Sequence, residues 1–108
     1  GDNSLNELMQ EGNNAADLIL SPDMGILTEG VINQTKLEEF YNTNYETKKS
    51  ELSLTDDFFI EFEGIEIEGS PVDYLGKINS TSTSDLIKIT RIAVYKNKPI
   101  KLEFYIWK

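Results

Sequence analysis

Six acidic side chains fall between residues 56 and 68: Asp56, Asp57, Glu61, Glu63, Glu66 and Glu68. Carboxylate oxygens in such density suit a calcium ion, and a carboxylate pair flanking a cleft is the machinery of glycoside hydrolysis. Neither chemistry finds its pattern. No D-x-D-x-D-G loop is present, and carboxylates that alternate along a strand turn toward solvent instead of converging on one ion. Many carboxylate pairs exist by count and none is singled out, so a carboxylate-dependent hydrolase stands third among the readings. The chain holds no histidine and no cysteine, which removes Ser-His-Asp and Cys-His arrangements, zinc and iron–sulfur ligation, and the commonest general base. The expectation is a non-enzyme with no catalytic residues, no metal and no cofactor.

Other residues offer binding or modification. Tyr95, Tyr105 and Trp107 form a candidate aromatic patch for a partner protein or a glycan, with packing beneath loops as the competing use. Two N-x-[S/T] sequons occur, Asn33-Gln34-Thr35 and Asn79-Ser80-Thr81. Asn79 opens a polar stretch (79–85) with no apolar side chain to bury and is the better glycosylation candidate, whereas Asn33 has a rival role as a helix cap. Arg91, the lone arginine, is set among apolar neighbours and is expected to fork onto a carboxylate.

The elements that must position these groups begin with size and charge. At 108 residues the chain is read as a single domain, with 39% hydrophobic and 27% charged residues, a globular balance. Its formal charge of −9 repels phosphate backbones, so no nucleic-acid partner is expected. No apolar run reaches the ~18 residues of a membrane span. Charge is unevenly spread: residues 1–85 sum to −14 and residues 86–108 to +5. Pairing across neighbouring strands explains this most simply, and head-to-tail contact between subunits is the alternative.

Ser4 and Glu7 make a capping box for a helix over 4–20, with Leu5, Leu8, Met9, Ala15, Ala16, Ile19 and Leu20 on its apolar side and Ser21-Pro22 ending it. Residues 22–32 read as a loop with one brief strand. Short helices follow over 33–54, the first capped near Asn33 with Thr35 and Glu38 as a capping box. The second starts at Asn44 and sets Tyr45, Lys48 and Leu52 on one face. Residues 57–108 change to period two. Phe58, Ile60 and Phe62 alternate with acids, then the phase slips and Ile65 and Ile67 take over. A two-residue turn at Glu63-Gly64 explains the slip, and a bulge at Gly64 is the competing account. Residues 86–96 and 100–108 make two more strands about an Asn97-Lys98-Pro99 turn, the last with Ile100, Leu102, Phe104 and Ile106 on its core side. The expected fold is α+β, an N-terminal helix and short helices packed on an antiparallel sheet of about four strands.

The pieces Asn14-Ala-Ala-Asp-Leu-Ile-Leu-Ser-Pro22, Gly30-Val-Ile-Asn-Gln-Thr-Lys-Leu-Glu-Glu-Phe40, Tyr45 and Lys49 ahead of Asp57-Phe-Phe-Ile-Glu61, Ile89-Thr-Arg-Ile-Ala-Val-Tyr95 and Lys101-Leu-Glu-Phe-Tyr-Ile-Trp107 form a pattern. Together they resemble the extracellular domains of archaeal type IV pilin-like proteins, surface proteins anchored by one N-terminal hydrophobic helix. The resemblance implies a pilin-head-like fold and a structural role in assembly or adhesion at the outer face of the cell membrane. Its partners would be other surface or filament subunits, or a cell-envelope component. It also implies that helix 4–20 continues an upstream membrane segment absent from this sequence. The start at Gly-Asp-Asn without an initiator Met reads as a processed chain or an excised fragment. A binding module that uses the aromatic sheet face is the alternative function.

Overall fold

Alternation in the second half of the chain builds a curled six-stranded mixed sheet, and three helices cover one of its faces. The computed structural model describes residues 2–78 and 85–108, with side chains from residue 5 onward. Chain order is α1 (Asp2–Ile19), β1 (Leu27–Thr28), β2 (Val31–Ile32), α2 (Gln34–Asn42), α3 (Tyr45–Glu51), β3 (Asp57–Ile67), β4 (Ser70–Gly76), β5 (Leu86–Tyr95) and β6 (Lys98–Trp107). Across the sheet the strands run β1-β2-β5-β6-β3-β4. The four long strands pair antiparallel with one another. The short β1–β2 hairpin joins β5 through a parallel pairing at Val31 and Val94, which makes the sheet mixed and six-stranded.

The core lies between the sheet and the helices. Phe58, Ile60, Phe62, Ile87, Ile89, Leu102, Phe104 and Ile106 point toward Leu8, Ala15, Ala16, Ile19, Leu37, Phe40 and Leu52. Gly12 brings α1 close to the sheet. A Cβ there would stand 2.7 Å from Ile89 Cδ1, 2.8 Å from Ile87 Cδ1 and 3.0 Å from Ile106 Cδ1. The glycine that weakens the helix locally is therefore the one that lets it seat on three isoleucines. The helix already runs at Asp2, so Ser4 lies inside it and the expected capping box does not open it. Leu5 and Met9 stay exposed, because the sheet covers only the stripe through Leu8, Gly12, Ala15, Ala16 and Ile19.

At the short helices, Asn33 and Asn44 are the caps, their side chains accepting from the N–H groups of Lys36 (3.0 Å) and Thr47 (2.9 Å). Thr35–Glu38 is not a capping box. The Glu38 carboxylate is taken by the Glu68 N–H at 2.7 Å and the Gln34 amide at 2.9 Å.

The slip after Phe62 is a bulge and not a turn. β3 continues to Ile67, and its register with β4 shifts between Glu61 and Ile65, with Gly64 at φ +81°. Extra residues on one strand restore the apolar phase without reversing the chain, so Ile65 and Ile67 stay buried. The reversal comes at Glu68-Gly69, both at positive φ (51° and 83°) as a two-residue hairpin turn requires, and β4 follows where no separate strand was expected. Likewise the last hairpin turns at Lys96-Asn97 (φ 49° and 67°), and Lys98 and Pro99 already belong to β6. Pairing between β3 and β6 ends at Phe62 and Leu102, so Pro99 lacks its N–H where no strand stands on that side.

Candidate interaction surface

The helices leave the second face of the sheet open, and aromatic side chains gather at one end of it. Phe59 of β3 stands directly opposite Tyr105 of β6, and their rings stack with centroids 4.6 Å apart and planes 10° from parallel. Trp107 meets the same Phe59 ring edge-on at 6.1 Å, and Tyr74 of β4 does so at 6.4 Å. Each such pair adds about 0.5–1.5 kcal/mol beyond the area it buries. Trp107 is 5% exposed, whereas Phe59 and Tyr105 are half-buried, and Tyr74 and Leu86, the latter opposite Trp107 on β5, are exposed. Toward the middle of the face Glu103 accepts from Thr90 Oγ1 (3.1 Å) and pairs with Lys88 (3.5 Å) and Lys101 (3.6 Å). Partial desolvation pushes the Glu103 carboxyl up, but the Thr90 bond and the two lysines outweigh it and hold the group below its usual range. At the far end Ile92 and Val94 are exposed. The arrangement is a flat aromatic platform with a charged border, able to stack against planar or apolar groups.

Of the three aromatics singled out in the sequence, Tyr105 and Trp107 share this platform and Tyr95 does not. Tyr95 points to the helix side and is 5% exposed. Its hydroxyl donates to Gln34 Oε1 (2.7 Å) and accepts from the Glu66 N–H (3.1 Å), tying α2 to the far half of β3. Phe59 and Tyr74 complete the platform and were missed. Phe59 had a signal, since it occupies the solvent phase of β3 among acids. Asn33 is committed to its cap and also donates to Thr28 Oγ1 (3.2 Å). Asn79 and most of the polar stretch 79–85 lie outside the described residues. Arg91 makes no carboxylate fork: it donates to Asn13 Oδ1 (3.0 Å) and the Thr90 carbonyl (3.1 Å), with Asp17 at 3.9 Å.

The carboxylates between residues 56 and 68 disperse. Asp57 receives the Tyr45 hydroxyl at 2.8 Å and lies 3.6 Å from Lys49 and 3.5 Å from Lys77. Burial pushes its carboxyl up, but the Tyr45 bond and the lysines together hold it below the usual range. The Tyr45 phenol is raised well above its ordinary value, chiefly by burial, and its oxygen also accepts from the Phe58 N–H at 3.1 Å. Glu66 pairs with Lys96 at 3.0 Å, one instance of the expected pairing between the acidic segment and the basic strands. Glu63 accepts from the Lys101 N–H at 3.3 Å, and Glu61 faces Glu103 across the strands. Among the described residues no group of three such side chains is placed to hold a metal ion.

Lys48 is the one charged residue buried among those described, at 7% exposure. The sequence had set it on the inner face of its helix with Tyr45 and Leu52, but without assigning it a role. Its ammonium donates to the Tyr41 carbonyl at 3.0 Å and lies 5.8 and 5.7 Å from the Phe40 and Tyr41 ring centres. Burial lowers its pKa. Beside it an open cleft of about 560 Å³ separates Tyr41 and Lys48 from residues 71–76 of β4. Another, of about 730 Å³, opens where β3 leaves β6, lined by Glu63, Ile65, Tyr95, Lys98 and Ile100. No helix among the described residues is long and apolar enough to cross a membrane. No family model matches this chain, and no curated protein or solved structure shows significant similarity to it.

Proposed function

We propose that this chain is the exposed head of a membrane-anchored, pilin-like cell-surface subunit, a non-catalytic part that serves assembly or adhesion. The observation that carries the reading is the setting of α1. The helix lies along one face of a curled, largely antiparallel sheet through a narrow stripe of small and aliphatic residues, while Leu5, Asn6 and Glu7 are exposed on all sides. A helix seated in this way suits a stalk that enters the head from a membrane. Its partners are other surface subunits or a cell-envelope component. The test is the N-terminal sequence and mass of the native protein, taken separately from membrane and soluble fractions of its source cells. An apolar segment of about 20 residues upstream of Leu5, in the membrane fraction, is the expected result. A native soluble protein without that segment overturns the proposal.

A second reading rests on the Phe59–Tyr105 stack, which no helix covers: a binding module that takes a glycan or a cell-envelope protein on the aromatic face. Tyr105→Ala is the informative change, because Tyr105 is only half-buried, whereas Trp107→Ala removes a ring that is 5% exposed and costs about 3–5 kcal/mol of stability. Retention of envelope material on immobilised protein should fall with Tyr105→Ala while the fold persists by circular dichroism. Unchanged retention removes this reading.

A further inference from the structure

Strand β4 ends the sheet on its side, and among the described residues nothing pairs with its outer edge. An open strand edge is a template for another strand, and proteins blunt such edges with proline or charge. Blunting is incomplete here. Pro71 removes one donor near the turn, but residues 72–76 carry a single charge, Asp73, and no further proline. Two unspent charges line the cleft along this edge. Lys48 is buried with one of its three N–H groups on a carbonyl, and no carboxylate lies within salt-bridge distance. Asp73 is exposed and makes no hydrogen bond or ion pair among the described residues; it also lines a second cleft with Lys101, whose ammonium lies 3.6 Å from Glu103. The two line the same cleft but form no pair within the molecule. Beside them Tyr74, 42% exposed, leaves the rim of the aromatic platform open.

An occupant of this edge has to be extended, bring a carboxylate toward Lys48, offer a cation to Asp73 and cover Tyr74. A second copy of this chain meets all four requirements, its β4 being extended and carrying Asp73 and Tyr74 while its α3 carries Lys48. We propose that two copies of this chain pair through β4, edge to edge and antiparallel about a two-fold axis. One sheet then runs through both molecules, with Lys48 of each facing the partner subunit's Asp73. The interface is isologous, so one contact type occurs twice and satisfies each charge once. The chain's acid excess opposes association in general, and residues 72–76 of this edge carry one carboxylate. The pairing does not depend on membrane anchoring. A soluble native protein would dimerise in the same way, and an anchored one that stayed monomeric would leave the proposed function intact.

The test uses the full chain in sedimentation equilibrium from micromolar to millimolar concentration, with amide chemical shifts followed over the same dilution series. Expected is a reversible shift from one chain mass to two, with shift changes concentrated in residues 72–76 and around Tyr41 and Lys48. Asp73→Lys, on an exposed side chain, should weaken dimerisation at least roughly tenfold, since like charges would then face each other at both contacts. Mixing Asp73→Lys with Lys48→Glu should restore association, because the mixed pair regains opposite charges. If Lys48→Glu does not fold, Lys48→Met serves instead and should weaken the dimer, with mixing restoring association only in part because one of the two contacts regains opposite charges. A chain that stays monomeric at millimolar concentration overturns the proposal. So does a dimer indifferent to Asp73→Lys, or one whose shifts map to β5.

Discussion

Glu11 belongs to α1, yet its carboxylate holds the entrance to β3. Its Oε1 accepts from the Thr55 N–H at 2.6 Å, the Thr55 hydroxyl at 3.1 Å and the Asp56 N–H at 3.3 Å. Burial pushes the Glu11 carboxyl up, but the bonds from Thr55 and Asp56 bring it below the usual range. Asp56 moves the other way, raised by burial and by the bond and negative charge of Glu11. The two therefore act oppositely on stability. Glu11 contributes stability that is present above its unfolded pKa of about 4.3 and is lost as pH falls through its lower folded value. Asp56, with a raised folded pKa, burdens the fold when ionised, and that burden is relieved as pH falls through the folded value. Asp56→Asn keeps a donor for Glu11 and removes the repulsion. It should raise the melting temperature at pH 7 by a few degrees at most, since exposed charge pairs rarely exceed about 1 kcal/mol. The difference from the parent should vanish in acid, where Asp56 is protonated anyway. A gain that persists unchanged to pH 3 would show that the repulsion is not its source.

Two glycines carry the geometry of the elements. Gly64 at φ +81° has nothing within 4 Å of where a Cβ would stand, so replacing it tests backbone strain alone. Gly64→Ala should cost about 1 kcal/mol in urea denaturation and Gly64→Asn much less, because asparagine tolerates the left-handed region. Gly12→Ala sets about 1 kcal/mol of helix propensity against an overpacking cost of about 1–3 kcal/mol where the three isoleucines close in. A net loss of stability is expected, and a gain would mean that the isoleucines move aside freely. These positions also show what the sequence could and could not convey. The slip after Phe62 was legible, but a turn and a bulge restore the apolar phase equally well, and only pairing with β4 separates them. Glu68-Gly69 is the same dipeptide as Glu63-Gly64. What makes it the turn is that both of its residues adopt positive φ, which no local pattern announces. Asn33 and Asn44 were legible as caps because capping is local, whereas the Thr35–Glu38 box failed because a distant backbone group, the Glu68 N–H, claims the carboxylate. Of the aromatic platform, Tyr105 and Trp107 were visible from their phase on β6. Tyr95 shares the phase of Ile89 and Ala93, a pattern that places it inside.

At the scale of the molecule, the helices cover one face of the sheet and leave the other uncovered by any helix among the described residues. The fold must hold a formal charge of −9, with the basic segment 86–108 built into the same sheet as the acidic strand β3. Among the described residues Asp57, Glu66 and Glu103 have lysine partners at 3.0–3.6 Å. Self-repulsion from the acid excess should dominate the response to salt. Thermal unfolding in sodium chloride should therefore shift upward between about 0.01 M and 0.15 M, over which the screening length falls from about 30 Å to about 8 Å. A downward shift would mean that the few ion pairs outweigh the repulsion. The strand order has another consequence. β3–β4 and β5–β6 are each closed by a two-residue turn, so each hairpin can form by itself within microseconds. Their strands pair along the seam between β3 and β6, which joins residues forty to fifty positions apart, from Phe62 with Leu102 to Asp57 with Trp107. Closing that long loop sets the folding rate. A chain whose seam is slow to close offers each hairpin to the complementary hairpin of another chain, so concentrated refolding should yield exchanged dimers joined through the same residues that zip a single molecule shut.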